Sequence, residues 1–371
     1  MAGSPIRVAF VLGEPTPYRI PHLRAVAARP ELDVTVFYAA ATVQRRTWRV
    51  EHAEAVYLDG PRLPLSRILH HDYVLTPGIC SELERGRFQL VVAGGWSLLA
   101  TQLAIAWSRR RGVPYVLMSD NHLLEPRPAW VLAVKRLVLP RIVPQAAAWL
   151  VPGSLARDHI VAYGARSERT LVFPLTVDVA AFGARVAALR AERACGDGVV
   201  VLHVGRLIAH KAVDVLVRAA ASAGVRLHVV GDGPDRPTLE QLASQLSADV
   251  TFSGELAGDE LAAAYAAADV FALASRRETW GVVVNEAAAA GLPLVLSDAV
   301  GAAGDLLRDG ENGFLVRAGD VMELAAVLRR LAGDTDLRRR MGARSRDLVA
   351  GWGYEPSVEA FVRLAEELVR C

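Results

Sequence analysis

Lysine is almost missing from this chain. Of its 42 basic side chains only Lys135 and Lys211 are lysines and the rest are arginines, so surface positive charge is otherwise arginine and a lysine beside a candidate site weighs against an ordinary surface cation. Cysteine is scarce too. Cys80, Cys195 and Cys371 are odd in number, widely spaced and form no CxxC pair, which excludes a disulfide framework or a thiolate metal site and fits a reducing compartment. Neither sign of charge dominates: 42 Lys and Arg stand against 40 Asp and Glu, for a formal +2, unlike the strongly basic domain of a nucleic-acid binder. No stretch offers the ~20 uninterrupted apolar residues of a membrane helix. The longest are broken by Gln89, Gly94, Gly95, Thr101 and Gln102, or by Lys135, Arg136 and Pro140. The opening MAGSPIRVAFVLG enters a strand-like run with no basic segment ahead of a long apolar one, so no signal peptide is expected.

What the chain does have is apolar material, 52% of 371 residues, enough for about two domains of roughly 150 residues. Short apolar runs alternate with helical patterns: Ile6–Leu12, Val34–Ala39, Leu90–Ala93, Tyr115–Met118, Trp149–Val151 and Leu171–Phe173, then Val199–Val204, Leu227–Val230, Val250–Phe252, Val270–Ala274, Leu294–Leu296 and Phe314–Val316. That alternation predicts parallel sheets covered by helices on both faces. The pattern restarts after a polar helical stretch at Arg185–Gly198, so two doubly wound domains are expected, with a hinge near Pro174–Phe182. Charge divides the halves: residues 1–175 hold 21 basic and 13 acidic side chains, residues 176–371 hold 21 and 27. A basic first domain suits an anionic acceptor or an anionic membrane surface, against the plainer reading of solvated helix faces. The stretch Trp130–Pro144 reads as a helix buried against its domain, with an interfacial helix as the alternative.

Ligands of open parallel sheets bind at the carboxyl ends of strands. After VVVLHVG come Arg206 and Lys211, a planar fork and a point charge five residues apart, suited to a diphosphate. After LHVVG comes Gly231-Asp232-Gly233-Pro234; Arg236 occupies the third glycine position, so the dinucleotide fingerprint fails and an NAD oxidoreductase is disfavoured. After VFALAS comes RRETWGVVVNEAAAAG, a helix ended by Gly291, with its N-terminus placed to bind phosphate. Glu278 lies before that helix and Glu286 inside it, two carboxylates able to accept hydrogen bonds from sugar and ribose hydroxyls. Asp334-Thr335-Asp336 reads as helix capping rather than a metal site, and His70-His71-Asp72 as solvated loop.

HVGRLIAHK, VVGDGPDRPTLEQLA, VTFSGEL, AAADVFALASRRETWGVVVNEAAAAGLPLVLS and GENGFLV together resemble the retaining glycosyltransferases of family four, over residues 198–320 and more loosely the whole chain. The resemblance implies the α/β GT-B fold: two doubly wound Rossmann-like domains facing a cleft, and a C-terminal helix crossing back. An acceptor domain would span 1–175 with the helix 352–370, and a nucleotide-sugar domain 183–351. By motif, Arg206 and Lys211 would hold the diphosphate and neutralise the leaving group. Glu278 with Thr279, Trp280 and Gly281 would hold donor hydroxyls, Val283 and Val284 would present N–H groups to phosphate, and Glu286 would bind ribose. Gly231, Gly233, Gly254 and Leu256 would border the base. On the acceptor side stand Gly13, Glu14, Tyr18 and Arg19, where Gly13-Glu14-Pro15 departs from the usual glycine pair. The histidine that many relatives carry near the reactive carbon falls, by spacing, at Asp120, with Asn121 and His122 next; which one faces the site is open. The hinge asparagine-glycine of many relatives is Leu175-Thr176 here.

The expected activity is hexosyl transfer from a nucleotide sugar, UDP-linked in the first instance and GDP-mannose in the second, to a glycan, a lipid-linked sugar or a small molecule. No cofactor or metal is expected, because two cations already face the diphosphate. The expected setting is the cytoplasm, with room for peripheral contact at the inner membrane face. The rival is a catalytically inactive sugar-nucleotide binder or partner subunit of the same fold.

Overall fold

A computed structural model describes residues 4–42, 50–63, 73–121, 128–192 and 198–370. The chain divides into two compact units, Met1–Leu175 with Tyr354–Cys371, and Thr176–Gly353.

In the first unit seven strands form one sheet: β1 (Ile6–Leu12), β2 (Leu32–Tyr38), β3 (Val56–Tyr57), β4 (Leu90–Gly94), β5 (Tyr115–Met118), β6 (Ala148–Val151) and β7 (Thr170–Val172). Their spatial order is 3-2-1-4-5-6-7 and every pairing is parallel. The continuity of the apolar runs has a direct cause in β1. Ile6, Val8, Phe10 and Leu12 enter the core on one face of the sheet, while Ala9 and Val11 enter the core on the other. A strand buried on both sides has no polar alternation to show. Two helices cover the first of these faces: α1 (Arg19–Ala27), carrying Leu23 and Val26, and the last helix of the chain, α4 (Tyr354–Arg370), carrying Val358, Phe361, Val362, Leu364 and Ala365. The Phe361 ring sits 5.4 Å from that of Phe10. A short antiparallel pair, Arg62–Leu63 with Tyr73–Val74, lies outside the main sheet.

The second unit holds β8 (Val200–Val204), β9 (Arg226–Val230), β10 (Val250–Phe252), β11 (Val270–Leu273), β12 (Leu294–Ser297) and β13 (Gly313–Val316), all parallel, in the order 10-9-8-11-12-13. Each of the twelve apolar runs is therefore a strand. The helix α2 (Val213–Ala223) follows β8, and α3 (Val282–Ala289) follows β11. Both sheets reverse direction beside their first strand, and an open sheet leaves a crevice for ligands at such a switch point.

Several boundaries differ from the sequence expectation. The second unit begins at Thr176, because Thr176 is fully buried and accepts a hydrogen bond from Asn285 Nδ2 at 3.1 Å. The helix Val179–Ala191, capped by Asp178, belongs to this unit: Arg190 donates to the carbonyls of Tyr265 and Ala290. The last helix starts at Tyr354 rather than residue 352, and Trp352 stays with the second unit, its ring 5.4 Å from that of Trp280. The helix Ala129–Ile142 is buried along one face only, through Lys135 and Leu139; its other face is open to solvent. Asp334 caps the helix Thr335–Val349 by accepting from Leu337 N at 2.8 Å. Among the described residues no helix is long and apolar enough to cross a membrane.

Candidate functional site

In the second unit the switch point lies between β8 and β11, and the residues that leave these two strands meet there. Beyond β8 the chain passes Gly205 and the exposed Arg206, then makes a single 3-10 turn, Ala209–Lys211, before α2. Ala212 closes that turn in the left-handed region, at φ 53°. Beyond β11 come Arg276, Arg277 and Glu278. The two loops are tied together: Arg276 N donates to His210 O at 2.8 Å, and its guanidinium reaches Ala209 O at 3.1 Å and Asp214 at 3.3 Å. Lys211 Nζ forms an ion pair with Glu278 Oε2, both side chains being largely buried. His210 reports the local field. Burial first, and then the charges of Lys211, Arg277 and Arg206, hold its imidazole below the usual histidine range, with Glu278 opposing them. Beside the Arg276–Asp214 pair, Arg206, Lys211 and Arg277 thus act on His210 against the single carboxylate of Glu278, a surplus of positive charge that a diphosphate would neutralise.

The segment after Glu278 is held by backbone bonds to the loop beyond β12. Glu278 N donates to Ala299 O at 3.1 Å, Gly301 N to Glu278 O at 3.0 Å and Ala302 N to Trp280 O at 2.9 Å. Trp280 is buried and donates from Nε1 to Asn285 Oδ1 at 3.0 Å, so its indole supports the loop instead of facing solvent. Gly281 takes φ 92° at the start of α3, and an added Cβ would stand 3.2 Å from the Glu278 side chain. That geometry turns the chain into α3, whose first N–H groups carry the positive end of the helix dipole. The Val284 N–H, however, donates to Gly281 O at 2.8 Å, which takes it out of the free donors. Glu286 is half-buried one turn on and accepts from the Tyr265 hydroxyl at 2.7 Å. Burial pushes its carboxyl above the usual range, and the tyrosine hydrogen bond partly offsets this.

The glycines beyond β9 serve the protein's own packing first. A Cβ on Gly231 would lie 2.0 Å from Gly205 O, and one on Gly233 2.3 Å from Leu207 O. Gly231 N donates to Gly254 O at 2.6 Å, which joins the ends of β9 and β10 beside the half-buried Leu256. These residues pin the loop that carries Arg206.

In the first unit, Gly13 O accepts from Ala40 N at 3.2 Å and Glu14 accepts from Thr42 Oγ1 at 3.2 Å. Tyr18 precedes α1, and Arg19 opens it. The Arg19 guanidinium reaches Asp120 Oδ2 at 2.9 Å, so two residues proposed on separate grounds form one ion pair at the ends of β1 and β5. His122 and the His70-His71-Asp72 group lie outside the described residues.

Four contributors escaped the sequence reading. Arg277 lies in the loop beyond β11, within the stretch RRETWGVVVNEAAAAG that also holds Glu278. His210, Tyr265 and the Asn285–Thr176 pair carry no local signature, since each acts through contacts that only the fold creates.

The model of the "Glycosyl transferases group 1" family matches residues 188–348. The chain is 33% identical over 301 residues to the D-inositol 3-phosphate glycosyltransferase of Stackebrandtia nassauensis, covering 74% of this chain and 67% of that one. It belongs to the group 1 glycosyltransferases. It is also 29% identical over 324 residues to the sulfoquinovosyl transferase SQD2 of Arabidopsis thaliana, covering 84% of this chain and 60% of that protein. The chain spans roughly half to two thirds of such curated relatives. HepE of Anabaena, solved in complex with UDP, superposes with a TM-score of 0.74 at 20% identity, covering 99% of this chain and 100% of HepE. The fold is GT-B, built from two Rossmann-like halves, as the motifs implied.

Proposed function

We propose that this group 1 glycosyltransferase moves a hexosyl group from a nucleoside diphosphate sugar to an acceptor hydroxyl with retention at the anomeric carbon, and without a metal. One observation carries the reading: Arg206, Lys211 and Arg277 gather with Glu278 around His210 at the β8/β11 switch point. When the bond from the anomeric carbon to the phosphate oxygen breaks, the electron pair stays on the diphosphate. Fixed cations and the α3 N-terminus stabilise that growing charge, a contribution that is usually the largest single one in such sites. The acceptor oxygen forms the new bond on the face the leaving group departs from, and its proton passes to a phosphate oxygen. Lys211 and Glu278 hold each other in place beforehand; donor binding would redirect the ammonium to phosphate and free the carboxylate for sugar hydroxyls. Glu286, at the helix, suits ribose.

A UDP-sugar is the first donor to test, with support from the UDP and UDP-glucose complexes of HepE, and GDP-mannose the second, after the GDP-mannose-dependent α-mannosyltransferase of Mycobacterium tuberculosis. A glycan, a lipid-linked sugar or a small molecule remains the acceptor class.

The test is nucleotide release from a panel of sugar nucleotides by the wild type and Lys211→Ala. Loss of one diphosphate contact should lower kcat about 10²- to 10³-fold, by analogy with a lost oxyanion donor. Turnover by the wild type should persist in excess EDTA. Unchanged turnover in the variant removes the diphosphate role. Nucleotide-dependent thermal stabilisation without turnover for any donor and acceptor would establish the inactive binder instead.

A further inference from the structure

The helix Ala129–Ile142 is apolar on the wrong side. Its inner face buries Lys135 and Leu139, while Trp130, Leu132, Val134 and Leu137 are 47%, 36%, 41% and 61% exposed. At 100° per residue, Trp130, Ala133, Val134, Leu137 and Pro140 form one solvent-facing stripe, with Arg136 along one edge and Arg141 within its last turn. A helix that keeps a tryptophan and a 61% exposed leucine in water while turning its lysine inward inverts the usual arrangement.

The surroundings say what covers this face. The Tyr115 hydroxyl donates to Ile142 O at 2.7 Å, and Arg109 acts electrostatically on Tyr115. The exposed Arg109 therefore stands at the same end of the helix as Arg141. Residues 1–175, to which the helix belongs, carry 21 basic against 13 acidic side chains. A second copy is a poor occupant, because a two-fold contact would set Arg136, near the middle of the helix, against its own copy. The helix is 14 residues long, about 21 Å at 1.5 Å per residue, and too short to span a bilayer.

We propose that Ala129–Ile142 lies in the plane of an anionic lipid surface, with Trp130, Val134 and Leu137 inserted at the level of the headgroups and Arg136, Arg141 and Arg109 on the lipid phosphates. The proposal adds a place to the proposed transfer, the surface of a membrane whose lipid or lipid-linked hydroxyls the first unit can reach. Its test reads binding without turnover, so its failure and that of the transferase reading are separable.

The experiment is co-sedimentation of the full chain with phosphatidylglycerol–phosphatidylcholine vesicles and with phosphatidylcholine vesicles, at low and at high salt. Binding is expected to the anionic vesicles and to weaken with salt. Trp130→Ser with Leu137→Ser should lower the partition at least about tenfold, from the apolar area lost to the bilayer. Arg136→Glu with Arg141→Glu should abolish the preference for anionic lipid. In the wild type, brominated acyl chains should quench tryptophan fluorescence, and Trp130→Phe should remove most of that quenching; this reading holds even where the serine variant folds poorly. Equal sedimentation of wild type and variants, absence of binding to anionic vesicles at low salt, or a dimer in light scattering that the serine variant dissolves would each overturn the proposal.

Discussion

Replacing His203 with phenylalanine should remove a large part of the acid sensitivity of the second unit. His203 lies on β8 with no exposure; its Nδ1 is 3.3 Å from Ala272 O, and Nε2 has no hydrogen-bond partner. The contact with a carbonyl places the proton on Nδ1 and leaves Nε2 an unfilled acceptor. Burial, joined by the charge of Lys211, lowers the imidazole to about 4 against an ordinary 6.5. Between those values the unfolded chain takes up a proton that the native unit refuses. Stability is therefore full above pH 6.5, falls as the pH drops through this window and loses nothing further from this group below about 4. The slope is about 1.4 kcal/mol per pH unit, which integrates to about 2 kcal/mol at pH 5 and roughly 3 kcal/mol below pH 4. Phenylalanine fills much the same space and binds no proton, so stability near pH 7 should change little while the acid loss disappears. Urea unfolding of wild type and His203→Phe at pH 7 and pH 5 measures the difference, and the imidazole C2 proton followed by NMR gives the titration itself. An equal loss between the two pH values in both proteins, or a His203 resonance titrating near 6.5, would refute the reasoning. His22 supplies a parallel case in the first unit. It is buried between the rings of Phe173 and Tyr354, at 4.0 and 4.9 Å, and burial holds it at about 3, so His22→Phe should spare that unit a similar acid loss.

Three further substitutions test the packing of the second unit. Gly231→Ala puts a Cβ 2.0 Å from Gly205 O at φ 130°, and should cost more than about 2 kcal/mol and weaken nucleotide-dependent thermal stabilisation. Gly224→Ala, at φ 66° with nothing within 4 Å, should cost only about 1 kcal/mol in the same melts. Asn285→Ala leaves Trp280 Nε1 and Thr176 Oγ1 without their fully buried partner, and should lower the unfolding free energy by about 2–4 kcal/mol in denaturant titrations.

What could be read from the sequence follows from how local each cause is. Strands such as β1 were legible because both faces are buried, so the apolar run itself is the signal; Val56–Tyr57 was not, being two residues at a sheet edge. Arg206, Lys211 and Glu278 were legible because they follow strands in a parallel sheet, where ligands bind. The partnership of Tyr265 with Glu286, or of Thr176 with Asn285 across 109 positions, leaves no mark in composition or spacing. The two lysines join both kinds of cause. Each lies in a poorly exposed place, Lys211 with its side chain 13% exposed against Glu278 and Lys135 at 6% on the inner face of its helix, while Arg136 and Arg141 on that helix face outward. Burial alone does not set lysine apart, since the Arg19 side chain is as enclosed at 11% exposure. What separates Lys211 from Lys135 is its neighbourhood, the Glu278 carboxylate in contact with it and the charges of Arg206 and Arg277 acting on the adjacent His210, which composition alone does not reveal.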